Sequence, residues 1–411
     1  MPEFLTFIYL GYTFIALYFL FLFAVVFAQN KKEMFSIPKS EKKYSLSIVI
    51  PCYNEEESIE GTIKSVLNSD YAGLEKIFVV DDCSTDDSYR IIKKFAEKNS
   101  KVVALQTPKN TGNAGGAKNY GAGFVKTELI GFVDADSYPG ENAISSMTGF
   151  FNDEKVGAVT TRILVRNRSN FLRKMQAIEY KVIAFTRKLL EFLDSVYVTP
   201  GPLVLYRRKA FLEIGGFDSK NMTEDIEATW HLIHDGYKIR MSFVSESATV
   251  APDTLKKWFK QRIRWNIGGY QTILKYKKFF FRKGMLGFFI LPLFSVSLVL
   301  GVFGLGILFY RMLRRFFVSY LSTKGSIAAQ TAIFAMQDIN LNPSILNFLG
   351  IVSFALGMAF IFFALRFVNK NLGEKENFFS VIFYSLIYIL LRPIVVIVSL
   401  YKFFTGKYSW R

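Results

Sequence analysis

From Phe4 to Ala28 the chain carries no charged side chain. At about 1.5 Å of rise per residue, a helix of that length crosses a hydrocarbon core about 30 Å thick. Further apolar runs lie at roughly Gly284–Tyr310, Leu349–Phe367 and Phe378–Leu400. Lipid offers no partner to a backbone N–H or C=O, so runs of this kind fold as helices. The region 316–337 is weaker, because Lys324, Gln330 and Gln337 interrupt it. Four spans are the preferred count and five the alternative. A cleaved leader would need a positive start, a shorter core and a small-x-small site. The first run instead follows Met-Pro-Glu and is crowded with Phe and Tyr, so a retained anchor is expected.

Lys31, Lys32, Lys39, Lys42 and Lys43 follow the first run, and the positive-inside rule assigns what comes next to the cytoplasm. Arg311, Arg314 and Arg315 fall outside on either count of spans, against that rule. Hydrophobic residues are 51% of the chain and charged residues 21%, which excludes a disordered protein and leaves room for one substantial polar domain. The formal net charge of +17 raises the question of nucleic acid. Residues 255–283, however, hold ten Lys/Arg, no acid and eight aromatics, which is the composition of an interfacial segment. Charge concentrated beside the membrane calls for no nucleic-acid partner. The two cysteines, Cys52 and Cys83, exclude a disulfide scaffold and read as reduced, packed thiols.

Residues 44–253 alternate short β-rich runs with helical spacing. Leu46–Pro51, Ile77–Val80, Val102–Leu105 and Leu129–Val133 read as strands. Ile59, Ile63, Val66 and Leu67, and then Ile91, Ile92 and Phe95, recur at helical intervals. Repeated βαβ units imply a mostly parallel sheet covered by helices, with ligands at the carboxyl ends of its strands. Those ends carry Pro51-Cys52-Tyr53-Asn54-Glu55, then Asp81-Asp82-Cys83-Ser84-Thr85-Asp86, then Asp134-Ala135-Asp136. One acidic turn is usually a helix cap, and Ser84, Thr85 and Asp86 are read that way. Carboxylates after three strands of one sheet converge, and such a group needs a cation or a hydrogen-bonding ligand.

Asp134 and Asp136 are two apart and point to one side of an extended segment, which suits Mg²⁺ or Mn²⁺ on a diphosphate. The Gly-rich stretch from Lys109 to Asn119 contains Lys118, a residue type that meets phosphate, but it is neither a Walker A loop nor a G-x-G-x-x-G turn. Val198–Pro202, Thr223-Glu224-Asp225 and Gln261-Arg262-Ile263-Arg264-Trp265 follow. Standing alone they would be a turn, a capped helix start and an interfacial anchor. His231 and His234 lack a third ligand nearby, so ordinary packing or surface roles are expected, and Trp230 is assigned to the core.

Together and in this order, the motifs resemble those of membrane-embedded family-2 glycosyltransferases with a GT-A fold, the group of the cellulose, chitin, hyaluronan and poly-N-acetylglucosamine synthases. The resemblance covers Leu46 to about Gln271. The Gly201-Pro202-Leu203 stretch with Tyr206-Arg207 looks like the hyaluronan and chitin synthase form, whereas Thr-Glu-Asp and Gln-Arg-x-Arg-Trp look closer to poly-N-acetylglucosamine synthase.

The resemblance implies an α/β fold: a GT-A (Rossmann-like), mostly parallel sheet domain plus an α-helical transmembrane region. It implies an anchor over 1–30, a cytoplasmic GT-A domain over 44–253, an amphipathic segment over 254–283 and membrane helices over 284–411. It also implies roles. Pro51, Tyr53 and Glu55 would border the nucleoside, Asp81 or Asp82 would bond uracil, and Lys118 would help hold the nucleotide. Asp134 would meet ribose or metal, and Asp136 would be the principal metal ligand. Asp225, beside Glu224, would be the base, with Gln261, Arg264 and Trp265 closing over diphosphate and acceptor. The implied activity is inverting transfer from a UDP-sugar to a growing polysaccharide at the plasma membrane, with export through the spans. The alternatives are a single transfer to a lipid acceptor, such as a polyprenyl phosphate, and a non-catalytic membrane scaffold.

Overall fold

The computed structural model describes residues 3–330, 345–372 and 376–409. Gln337, part of the weak fifth-span reading, lies outside them. The first helix, α1 (Glu3–Asn30), is apolar on every side, and Phe7, Phe14 and Phe21 stand exposed along it. A helix with no polar face belongs in lipid rather than on a soluble core.

Strand β1 (Leu46–Cys52) is buried along its whole length. It pairs in parallel with β2 (Leu74–Asp81) on one side and β4 (Leu129–Phe132) on the other, and β3 (Val102–Gln106) extends the sheet beyond β2. A strand covered on both faces reads as a continuous apolar run, which is why these four stand out in the sequence. Crossovers α2 (Ile59–Leu67), α3 (Ser88–Lys98) and α4 (Ala114–Ala122) cover the two faces. One apolar cluster packs Ile48 and Ile50 against Ile59 and Ile63, and the other packs Val49 and Val80 against Ala117 and Ala122.

Past β4 the sheet becomes mixed. The elements are β5 (Ser137–Pro139), the short α5 (Ser145–Thr148), β6 (Val156–Val165), α6 (Phe171–Glu191), β7 (Val204–Arg207), α7 (Arg208–Glu213), α8 (Glu224–His234) and β8 (Lys238–Thr249). The strand order is β3-β2-β1-β4-β7-β6-β8-β5, with β7 antiparallel to both β4 and β6. Strand order therefore reverses between the parallel strands β1 and β4, where an open sheet forms its ligand crevice.

Helix α9 (Leu255–Tyr276) carries the Gln-Arg-x-Arg-Trp segment, and Thr254 caps its start. The remaining helices are α10 (Leu291–Ala328), α11 (Ile345–Leu372), α12 (Phe378–Phe383) and α13 (Ile389–Thr405). Among the described residues four helical stretches are long and apolar enough to cross a membrane: Thr6–Asn30, Leu286–Ala328, Phe348–Lys370 and Phe378–Thr405. The expected span ending at Tyr310 instead belongs to a helix that runs on past Arg311, Arg314 and Arg315. Arginine is a good helix former, so charge ends the apolar run without ending the helix.

The sheet domain and the helical bundle share apolar contacts. Phe185 of α6 packs against Phe360, Phe363 and Phe367 of α11, and Phe27 of α1 meets Phe363 and Phe367 edge-on. Met175 and Ile178 of α6 join Trp258 and Ile267 of α9 and Val395 of α13 in a further cluster.

Candidate active site

The loops after β1 and β2 are locked to each other. Asn54 and Cys83 both adopt positive φ (53° and 60°), an uncommon conformation for such residues. Asn54 Oδ1 accepts from Thr85 N at 2.8 Å, Asn54 N donates to Ser84 Oγ at 3.0 Å, and Glu55 N donates to Ser88 Oγ at 2.8 Å. Ser84, Thr85 and Ser88 thus serve the neighbouring loop, and of the three residues read as caps it is Asp86 that accepts from the start of α3, through Ser88 N at 3.0 Å. The thiols are free: Cys52 is buried, which pushes it up to about 12, and Cys83 Sγ donates to the Thr107 carbonyl.

The two adjacent acids after β2 diverge. Asp81 is wholly buried and accepts from Gln106 Nε2 at 2.9 Å and from Ser84 N at 3.2 Å, so it braces the sheet. Asp82 lines the cavity described below, accepts from Thr107 Oγ1 at 2.9 Å and from Thr111 N at 2.8 Å, and shapes the loop that leads into α4.

Lys118 of α4 is 2% exposed and lies 3.1 Å from Asp134 Oδ1 and 2.9 Å from Glu224 Oε1. Burial alone would pull this ammonium down, yet Asp134 and Glu224 hold it above its ordinary value. Glu224 is correspondingly lowered: burial opposes its ionisation, and Lys118 more than offsets that. Asp225, the next residue, takes the opposite path and is pushed up to about 7 by burial and by Glu224, against the pull of Lys118. Two neighbouring carboxylates pushed apart in proton affinity assign one as a fixed charge and the other as a proton acceptor near neutrality. Asp136 also rises to about 7, through burial first and then Asp134 and Glu55, while Ser137 Oγ donates to it at 3.0 Å.

Two glycines set how closely the parts approach. Gly201 O accepts from Asp134 N at 3.0 Å, and a Cβ at Gly201 would lie 2.1 Å from Asp134 Oδ2. The Val198–Pro202 segment is therefore pressed onto the acid pair rather than being a simple surface turn. On α9, a Cβ at Gly268 would lie 2.0 Å from Thr223 Oγ1. Gln271 Oε1 accepts from Met222 N at 2.8 Å, and Asn221 Nδ2 donates to Thr272 Oγ1 at 3.0 Å. Helix α9 is thereby stitched to the Thr223-Glu224-Asp225 turn, joining two motifs that are far apart in the chain.

A cavity of about 830 Å³ unites these groups. At the strand ends Pro51, Tyr53, Glu55 and Asp82 line it, followed by Lys118, Asp134 and Asp136, and then Glu224 and Asp225. Gln261, Arg264 and Trp265 of α9 border the next part, and Phe294, Leu298 and Gly301 of α10 with Val396 of α13 form its far end. Every site residue read from the sequence except Asp81 faces this one space. Trp230 is fully buried, and its Nε1 donates to the Tyr197 carbonyl at 3.2 Å. His234 Nδ1 lies 2.7 Å from Asp235 Oδ1 at the end of α8.

Sequence reasoning missed a buried network around Glu179 of α6. Glu179 Oε2 accepts from Arg262 Nη2 and from Tyr388 OH, each at 2.5 Å, and Oε1 lies 3.3 Å from Arg392 Nη2. Trp258 Nε1 donates to Tyr388 OH at 2.8 Å, and the Arg262 guanidinium lies 4.0 Å from the centre of the Trp265 ring. This carboxylate fixes α9 and the last membrane helix to the sheet domain. Its only sequence signal was an acid set among Met175, Ile178 and Val182 on one face of a helix.

Comparison with known proteins adds the lineage. The profile described as Glycosyl transferase family 2 matches residues 47–215. A poly-beta-1,6-N-acetyl-D-glucosamine synthase of Staphylococcus aureus (strain COL) is 31% identical over 262 residues, covering 63% of this chain and 62% of that protein. The Staphylococcus epidermidis protein of the same name is 30% identical over 233 residues, covering 56% of each. The match thus spans about three-fifths of the length of these relatives. Among solved structures, the mannosyltransferase PcManGT from Pyrobaculum calidifontis, in complex with GDP-Man and Mn²⁺, superposes with a TM-score of 0.51 at 18% identity, covering 70% of this chain and 85% of that one. The strand order and the crevice agree with that likeness of fold, which is of the GT-A type, and residues 47–215 match the glycosyl transferase family 2 profile.

Proposed function

We propose that this chain is an inverting, membrane-embedded glycosyltransferase that draws a UDP-sugar from the cytoplasm and extends a polysaccharide, which leaves between its C-terminal helices. The observation that carries the reading is the single cavity running from the strand ends, past Asp225, to α10 and α13. A lone soluble transferase has no need for its acceptor side to open onto membrane helices. The domain boundaries 44–253, 254–283 and 284–411 belong to this reading, as does the cytoplasmic side of the domain, which rests on the lysines after α1.

The donor's nucleoside would lie against Pro51, Tyr53, Glu55 and Asp82. A divalent ion, Mg²⁺ or Mn²⁺, fits beside it. Asp136 Oδ1 accepts from the Ser137 and Thr249 hydroxyls, and the like charges of Asp134 and Glu55 raise its affinity for a cation. Among the described residues no three acidic, His or Cys side chains could enclose a metal alone. Asp136 and Asp134 would therefore share the ion with the donor's phosphates, which is the usual habit of Mg²⁺. Bound there, the ion neutralises charge on the leaving diphosphate.

The chain's own residues supply the rest. Asp225 takes the proton of the acceptor hydroxyl as that oxygen bonds to the anomeric carbon. The anomeric C–O bond to the diphosphate breaks, and UDP departs with the electron pair. Lys118 keeps Glu224 ionised and occupied, which leaves one proton acceptor and no second nucleophilic carboxylate, the arrangement of a single inverting displacement. Arg264 faces the leaving group, and Gln261 and Trp265 close over the acceptor sugar, Trp265 offering it a flat apolar surface.

The staphylococcal relatives are named for a poly-N-acetylglucosamine product, so UDP-N-acetylglucosamine is the first donor to test. Membranes containing the protein, given labelled donor and Mn²⁺, should make a polymer that Asp225→Asn abolishes. A product that stops at one sugar on a lipid would replace this reading with single transfer. Polymer formation unchanged in Asp225→Asn would make the chain a scaffold for another enzyme.

A further inference from the structure

Arg187 of α6 lines the same cavity and is only 7% exposed. Its Nε is shielded from water and unpartnered, and among the described residues its guanidinium forms no hydrogen bond or ion pair. The other buried cations of the cavity are matched: Lys118 by Asp134 and Glu224, and Arg262 by Glu179. An uncompensated buried guanidinium is costly, and the loss is recovered when a ligand brings oxygens to it.

The surroundings indicate which oxygens. Burial pulls the Arg187 guanidinium down, and the groups that oppose this are Tyr197, Asp225 and Tyr180. The Tyr197 ring stacks edge-on with Phe294 of α10 at 4.7 Å, so this part of the cavity borders a membrane helix. Gln261 Oε1, which lines the same cavity, is also shielded and unpartnered. The cavity thus offers unpartnered hydrogen-bond donors and, besides them, an unpartnered acceptor. An anion would satisfy only the first, whereas hydroxyl groups donate and accept, and Tyr180, Tyr197 and Trp265 supply the flat faces on which sugar rings stack.

We infer that Arg187 is an acceptor-binding residue: its guanidinium donates to hydroxyl or amide oxygens of the sugar whose free hydroxyl Asp225 deprotonates, and so selects the acceptor. The inference rests on the proposed polymerising activity and assigns the acceptor end of that site.

The test uses full-length protein in lipid nanodiscs. UDP release is followed against UDP-N-acetylglucosamine and, separately, against a short β-linked N-acetylglucosamine oligomer, and thermal midpoints are read without ligand. Arg187→Met should raise the KM for the oligomer about 10- to 100-fold, the loss of one charged hydrogen-bonding group. The KM for the donor should stay within about twofold. Its ligand-free midpoint should equal or exceed that of the parent, because an unpaired buried charge has been removed. Arg187→Lys, which keeps the charge and guards against misfolding, should raise the oligomer KM by a smaller factor. An oligomer KM unchanged in both variants overturns the inference. So does a fall in midpoint with both KM values rising together, the pattern of a structural role. If wild-type protein releases no UDP in response to any oligomer, the polymerising reading itself falls, and that result is visible before any variant is made.

Discussion

Gly268 and Gly269 are adjacent on α9, and they should respond oppositely to the same change. Alanine in a helix interior is favoured over glycine by about 1 kcal/mol, so propensity alone predicts that both substitutions stabilise. The surroundings differ. A Cβ at Gly269 meets nothing within 4 Å, whereas at Gly268 it would lie 2.0 Å from Thr223 Oγ1 and 2.7 Å from Thr223 N. Ordinary contact begins at 3.4 Å, so even with the Thr223 hydroxyl rotated away helix and turn must part by about 0.7 Å to clear Thr223 N. Backbone flanks that contact, and the Gln271 and Thr272 hydrogen bonds resist the movement. Overpacking costs about 1–3 kcal/mol, enough to cancel or reverse the propensity gain. The larger effect should be on turnover, because Asp225 sits two residues beyond Thr223 and Arg264 lies one turn before Gly268. A displacement of about 1 Å between reacting groups lowers rates on the order of 100-fold. Purified Gly268→Ala and Gly269→Ala proteins compared by thermal midpoint and by UDP release decide it. A Gly268→Ala protein as stable and as fast as Gly269→Ala would refute the claim that this contact registers the two motifs.

The Asp225 carboxyl, pushed up to about 7, must be ionised to accept a proton, so kcat/KM for UDP release should fall about tenfold per pH unit below that value. Lys118→Met removes the cation that restrains Asp225 and should move this limb to higher pH, while destabilising the fold by about 3–5 kcal/mol through the abandoned Glu224. Asp136 is raised above its unfolded value, so its contribution to stability is present at low pH and lost as pH rises through about 7. Thermal midpoints taken from pH 4 to 8 should therefore decline less in Asp136→Asn than in the parent, and added Mn²⁺ with UDP should raise the parent's midpoint alone. Glu179→Ala leaves buried Arg262 without its carboxylate and should lower the thermal midpoint strongly, and a second change, Arg262→Met, should restore part of the loss.

What the sequence disclosed and what it hid divide along a physical line. The parallel strands β1 to β4 were legible because burial on both faces demands uninterrupted apolar runs, and their carboxyl ends were legible because the polar groups there contrast with those runs. That Asp81 is held by Gln106 while Asp82 lines the cavity was not legible. Adjacent residues at a strand end are chemically identical on paper, both are buried in the fold, and only the register Asp81↔Gln106 determines which one braces the sheet. Glu179 was hidden for another reason: its partners lie 83 to 213 residues away, and no local spacing announces so distant an ion pair. Arg187 was hidden because an arginine on a mixed helix is ordinarily a solvated one. The Gln-Arg-x-Arg-Trp segment would be an interfacial anchor if it stood alone, and the resemblance assigned it to closing over diphosphate and acceptor. In the fold Gln261, Arg264 and Trp265 line the cavity, and Arg262, which borders it as well, is held by Glu179.

The division of labour between Glu224 and Asp225 shows what the fold contributes beyond residue type. Both are carboxylates at the start of α8, and both feel the positive end of that helix. The difference is that Lys118 reaches Glu224 Oε1 directly and acts on Asp225 only at a distance. One lysine, buried on a neighbouring helix, therefore fixes one acid as a counter-charge and leaves its neighbour with the proton affinity of a general base at neutral pH. Exchanging the two side chains (Glu224→Asp with Asp225→Glu) keeps composition, charge and helix start, yet shortens the ion pair's reach and lengthens the base. UDP release should collapse while the fold persists, measured by activity against thermal midpoint. If the exchanged protein works at a comparable rate, the distinction drawn from Lys118 is wrong and the two acids are interchangeable.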